Sequence, residues 1–166
     1  MLIGNSSSCF LDACELAFGL SAHTVAARMK QVTPDCPFET IGYPPTLVGA
    51  ASLELYGLGL ARIDPVPTTF DAEGNPARIP GTEGFVEYVS SWFRRPGFRC
   101  VIQGPKLTDG EEHACAWNGQ AWIDPSNPEQ GLAAPTVNVR TIWLFTLPAE
   151  AEAPADAEPE SADSDD

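Results

Sequence analysis

The chain has 166 residues and a formal net charge of −14, long enough for one domain with a sizeable core and too acidic to neutralise phosphates. That balance argues against a nucleic-acid partner and against electrostatic attachment to an anionic membrane surface, and no apolar run approaches a membrane span. Residues 149–166 hold eight acids and no base; without them the charge is −6, so a mildly acidic body, residues 1–148, precedes a strongly acidic tail.

The N-terminus, Met1-Leu2-Ile3-Gly4-Asn5, carries no basic region and no long apolar stretch, so no secretory signal is expected. The five cysteines (Cys9, Cys14, Cys36, Cys100, Cys115) are odd in number, irregularly spaced and without a CxxC pair. Reduced thiols in a cytoplasmic setting fit better than a disulfide framework.

Asn5-Ser6-Ser7-Ser8 opens the chain, and from Cys9 a helical pattern begins, with Phe10, Cys14 and Ala17-Phe18 on one face and Gly19 as its stop. Any of the serines could cap it, and Ser8 as N-cap places Cys9 in the first helical turn. A cysteine there faces unpaired backbone N–H groups and the positive end of the helix dipole, which lower a thiol pKa and favour the thiolate. Most free cysteines are instead small buried hydrophobes, as expected of Cys14, a full turn further in.

Ser21 can cap a second helix, Ala22 to Gln31, with Val25 and Met29 inward and His23 as a solvated residue of its first turn. Pro34, Pro37, Pro44 and Pro45 predict an irregular connection, in which Cys36 is a lesser rival nucleophile because it lacks a helix start. Residues 46–56 read as a short apolar helix stopped by Gly57, and Leu58 to Ile63 as a strand. The Pro/Gly-rich residues 64–81 read as an exposed loop, a flap near a site.

Thr82 can cap a helix running to Arg95, with Phe85, Val86, Val89 and Trp92-Phe93 on one stripe. Arg94 and Arg95 then complement its dipole, or grip an anionic substrate, before Pro96-Gly97 ends it. Phe98 to Gln103 is a buried-type strand. Asn118-Gly119 is a two-residue turn signal and predicts a hairpin of 113–117 with 120–124. Counting outward sets Trp117 against Gln120, Cys115 against Trp122 and His113 against Asp124. Directly opposed side chains share a face, so a chain with two histidines places one of them beside a carboxylate that would fix its tautomer and orientation. The alternative is a charge pair that only tunes strand pairing. Residues 125–138 form another loop, and Arg140 to Leu147, apolar on both faces, an interior strand. The tail has no apolar periodicity and is expected to be disordered.

A cysteine at a helix start, a histidine on a later strand and an acid on the next is the order that nucleophilic thiol chemistry needs. Cys9-Phe10-Leu11-Asp12-Ala13-Cys14-Glu15-Leu16-Ala17-Phe18-Gly19-Leu20-Ser21 resembles the nucleophile helix of small papain-like cysteine peptidases. The segment His113 to Pro125 resembles the histidine strand, turn and Asp-Pro of the bacteriocin-processing C39-type peptidases and of small phage-encoded papain-like proteins. The resemblance implies an α+β papain-like fold, N-terminal helices packed on an antiparallel sheet. It implies a thiol hydrolase with Cys9 as nucleophile, His113 as general base and acid and Asp124 as orienter, cleaving a peptide or isopeptide bond of a protein or peptide substrate without a cofactor. Deamidases and transglutaminase-type acyl transferases of this fold use the same groups.

The chain departs from the papain pattern where a glutamine usually supplies an oxyanion donor, six residues before the cysteine; Ile3 stands there. Asn5, a serine or the Cys9 backbone N–H are the substitutes in reach. That departure supports a second expectation, a non-catalytic papain-fold binding protein, such as a phage or mobile-element product that engages a host protein. A metal site from Cys9, His113 and Cys115 lacks a fourth ligand at a sensible spacing.

Overall fold

A computed structural model of the chain describes residues 2–4, 6–65, 68–81 and 84–146. Asn5, Thr82 and the acidic tail lie outside them, so the oxyanion reading of Asn5, the capping reading of Thr82 and the disorder expected of 149–166 find no description here. The architecture is α+β, with the N-terminal helices on one face of an antiparallel sheet.

Helix α1 (Cys9–Phe18) is the central element. Phe10, Leu11, Asp12, Ala13, Cys14 and Ala17 are all buried. The single apolar stripe expected from spacing is thus exceeded, because α1 lies against the sheet on one side and against α2 (Ala22–Val32) and α4 (Pro45–Tyr56) on the other. A helix covered on both sides tolerates few polar residues. Gly19 stops α1 in the left-handed conformation (φ 75°), its N–H donating to the Glu15 carbonyl. Ser21 caps α2 as expected, its hydroxyl accepting from the Thr24 N–H at 3.3 Å. The proline-rich connection contains a one-turn helix, α3 (Phe38–Ile41), whose Phe38 is fully buried and stacks on Tyr43.

Six strands form the main sheet: β1 (Gly59–Ile63), β4 (Cys100–Pro105), β5 (Glu112–Trp117), β6 (Trp122–Ile123), β7 (Gly131–Leu132) and β8 (Thr141–Thr146). Their order is β1-β8-β4-β5-β6-β7, with every neighbouring pair antiparallel. Strand β8 lies inside the sheet, which explains its apolar residues on both faces. Alternation divides the core in two. Val101, Ala114, Ala116 and Trp143 face the helices, while Cys100, Ile102, Cys115, Trp122 and Ile142 face the other way. The second face is covered by α5 (Phe85–Ser91) and the 3-10 turn Trp92–Arg94, through Val89, Trp92 and Phe93. The helix expected to run unbroken to Arg95 therefore ends at Ser91 and tightens.

The loop expected at 64–81 carries a small hairpin instead, β2 (Thr68–Phe70) with β3 (Pro76–Arg78), closed by backbone N–H groups of Glu73 and Asn75 on the Asp71 carboxylate. The loop expected at 125–138 includes β7, which pairs with β6.

Candidate active site

The hairpin that carries His113 differs in register from the two-residue expectation. Trp117 pairs with Trp122, and Ala116 with Ile123, leaving Asn118 to Ala121 as a four-residue loop. The Asn118 side chain explains the longer loop. Its Oδ1 accepts from the N–H groups of both Gln120 and Ala121, each at 2.9 Å, and so builds the turn itself. The longer loop also opposes two tryptophans, with ring centroids 5.1 Å apart, where the shorter one would set Trp117 against glutamine.

The slip is two residues, an even number, so every side chain stays on its face. Asp124 is not directly opposite His113. Strand β6 ends at Ile123, and Asp124, diagonal to His113, reaches it just past the strand end. His113 Nε2 and Asp124 Oδ1 are 2.9 Å apart, with the side chains only 6% and 14% exposed. The carboxylate also accepts from the Ser126 N–H (2.8 Å) and from the Thr136 hydroxyl (2.6 Å). Burial pushes the Asp124 carboxyl up, and the hydrogen bonds from Thr136, His113 and Ser126 outweigh it, bringing the group down to about 2. An ionised carboxylate only accepts, so Nε2 carries the ring proton toward it and Nδ1 is the nitrogen left to accept one.

Thr136 precedes a segment that runs antiparallel along β4 and packs against Gly104, the cross-strand partner of His113. A Cβ on Gly104 would fall 1.8 Å from the Asn138 carbonyl oxygen, so only glycine lets that backbone pass. The Asn138 and Arg140 N–H groups hold the segment beside β4 by donating to the Pro105 and Gln103 carbonyls.

Cys9 opens α1 as expected, but Ser8 does not cap it. Residues Ser6–Ser8 form a 3-10 turn, Ser8 has near-helical angles and its side chain makes no capping bond. The reason is Asp12. Its buried carboxylate takes the Ser8 hydroxyl (2.6 Å) and the N–H groups of Ile3 (2.6 Å) and Gly4 (2.9 Å), hooking the N-terminal segment over the first turn. The thiol is half-buried, and the lowered pKa expected of a helix start is not found. Burial pushes the Cys9 thiol up, against backbone hydrogen bonds from Ala114 and Phe10, and the Asp12 charge adds to the rise while Lys106 opposes it.

Cys9 and His113 line one cavity of about 490 Å³, walled also by Leu2, Gly4, Asp12, Lys106 and Pro125. No hydrogen bond joins the thiol to the ring among the described residues. On its other side Cys9 lines a second cavity, of about 410 Å³, with Phe10, Tyr43 and Gln103, and Glu112 borders both. Cys9 therefore borders two cavities.

The remaining residues singled out from sequence fall elsewhere. Cys36 is half-buried against the helical core and borders neither cavity; Cys14 is fully buried, its thiol pushed far up by burial. His23, Arg94 and Arg95 are exposed and line neither cavity. Cys115 donates its S–H to the Ile123 carbonyl, and no cluster of three or more potential metal ligands occurs among the described residues. Sequence reasoning missed Asp12, Thr136 and Gln103. An acid inside the apolar run Phe10 to Phe18 is the signal that could have found Asp12.

Comparison with protein-family models, curated proteins and solved structures found no match for this chain. No helix of the described residues is long and apolar enough to cross a membrane.

Proposed function

We propose that this chain is a papain-like thiol hydrolase that cleaves a peptide or isopeptide bond of a protein or peptide substrate, with Cys9 as nucleophile, His113 as general base and acid and Asp124 as the group that orients the ring. The observation that carries this reading is the shared cavity: Cys9 and His113 border one space, and the ring's far nitrogen is fixed on an ionised carboxylate.

Because burial favours the protonated thiol, Cys9 attacks by general-base catalysis, not as a resting ion pair. Nδ1 of His113 takes the thiol proton as Sγ bonds to the carbonyl carbon and the π pair moves onto oxygen. The adduct collapses, the C–N bond breaks, and the amine leaves with the proton from His113. A water molecule, deprotonated by the same nitrogen, then adds to the thioester and releases the acid, returning the thiol. An amine in place of that water makes the same groups a transglutaminase-type transferase, and a glutamine side chain as substrate makes them a deamidase. Five unpaired thiols are compatible with action in a reducing, cytoplasmic compartment.

A second reading, a non-catalytic protein of the same fold that binds a host protein, is favoured by the raised Cys9 thiol and by the missing Cys9–His113 hydrogen bond. Iodoacetamide labelling followed at the Cys9 peptide by mass spectrometry separates the two. The hydrolase reading expects Cys9 to outpace Cys36 and to slow sharply in His113→Ala. Equal labelling at both cysteines, indifferent to His113, supports the binder.

A further inference from the structure

Cys9 borders one cavity that a base lines and a second that an amide lines. His113 lines the first cavity, Gln103 the second, and Cys9 both. Gln103 is the direct cross-strand partner of Ala114, on the helix-facing side of β4. The Ala114 backbone, in turn, acts to lower the Cys9 thiol pKa, against its burial. Directly opposed residues have Cβ atoms roughly 5 Å apart, so the Gln103 side chain starts one strand spacing from Ala114 and borders the cavity that Cys9 borders.

The amide's orientation is fixed by chemistry. Gln103 Oε1 accepts from the Trp143 indole N–H at 3.1 Å. An indole N–H can only donate, so the oxygen must face Trp143 and the NH₂ group must face away. Trp143 is itself held, edge-to-face with Phe10 at 5.6 Å and under the Arg62 guanidinium at 5.9 Å. No acceptor among the described residues takes the Gln103 N–H groups. An oriented donor beside a nucleophile is what a developing oxyanion requires.

We propose that Gln103 is the oxyanion-hole residue of this site: its Nε2–H donates to the carbonyl oxygen that becomes negative when Cys9 attacks, in the role that Ile3 cannot fill. The inference rests on the Cys9–His113 reading above. A substrate carbonyl would lie over Cys9 with its oxygen toward Gln103 and its leaving group toward His113. As Sγ bonds to carbon, the electron pair pushed onto oxygen meets the amide donor, and it returns when the leaving group departs.

Two probes of Cys9 in the full chain separate this role from a structural one. p-Nitrophenyl acetate acylates the thiol through a tetrahedral oxyanion and expels p-nitrophenolate. Iodoacetamide alkylates the same sulfur by displacing iodide, with no oxyanion. Both adducts are read at the Cys9 peptide by mass spectrometry, with tryptophan fluorescence as the check on folding. In Gln103→Ala acylation should fall roughly a hundredfold or more, the usual cost of one oxyanion donor, while alkylation holds. Gln103→Glu keeps the acceptor for Trp143 and loses the donor; its added charge disfavours the thiolate and slows both reactions, and acylation should fall much further than alkylation. Acylation that survives in Gln103→Glu overturns the proposal, as does a fall of both reactions by the same factor in both variants. If His113→Ala leaves wild-type acylation untouched, the Cys9–His113 reading fails instead, and the proposal falls with it. Loss confined to His113→Ala, with both Gln103 variants normal, overturns the Gln103 role alone.

Discussion

Asp124→Asn removes one negative charge from the centre of a four-residue cluster and keeps the shape. In the wild type its two oxygens take three donors, His113 Nε2, Ser126 N–H and the Thr136 hydroxyl. The native carboxyl titrates at about 2 against an ordinary 3.8. At 1.36 kcal/mol per unit that gap corresponds to about 2 kcal/mol, and solvent reaching the carboxylate trims it to about 1–2 kcal/mol. The sign follows from linkage. A carboxyl depressed in the native state contributes its stabilisation above the unfolded pKa and loses it as pH falls through the native one. Urea unfolding followed by tryptophan fluorescence should therefore show Asp124→Asn less stable than wild type by about 1–2 kcal/mol at pH 7, with unchanged m. The difference should shrink as pH drops from 4 toward 2. A gap that persists undiminished at the acid end, or none at pH 7, would refute the charge-based account of how the ring is held.

Two further outcomes follow from the same geometry. Gly104→Ala sets a methyl group 1.8 Å from the Asn138 carbonyl oxygen, so the segment beside β4 that follows Thr136 must move; thermal unfolding should show a loss of more than about 2 kcal/mol, and a near-neutral variant would mean that segment is not held. Asp12→Asn removes a charge that raises the Cys9 thiol, so the pH inflection of Cys9 labelling by iodoacetamide should move down; an upward move would contradict the electrostatics assigned to Asp12.

The helical half is legible in the sequence because its cues are local. Ser21 before α2 and Gly19 and Gly57 after α1 and α4 each act on their own backbone. The order of the site is legible for a related reason: His113 and Asp124 share a face in any even register, so the pairing survives a turn read two residues too short. The turn itself misleads because Asn-Gly is compatible with two geometries, and the choice between them lies in the Trp117–Trp122 contact, which turn chemistry does not encode.

Other features depend on partners distant in the chain. The state of the Cys9 thiol is set first by burial, which outweighs the helix-start backbone at Phe10, and the charge of Asp12, whose own partners lie at Ile3, Gly4 and Ser8, adds to the rise. Gln103 looks like any polar residue on a strand until Trp143, forty residues on, fixes its amide. Thr136 reads as loop until the pairing of the next residues along β4, close over Gly104, delivers it to Asp124.

Whether Cys9 and His113 act as one unit is tested most directly by pre-steady-state release of p-nitrophenolate from p-nitrophenyl acetate by the full chain. Joint action requires a burst stoichiometric with protein, absent in Cys9→Ala and strongly slowed in His113→Ala. A burst that outlives either substitution, or no burst from the intact chain, would contradict it.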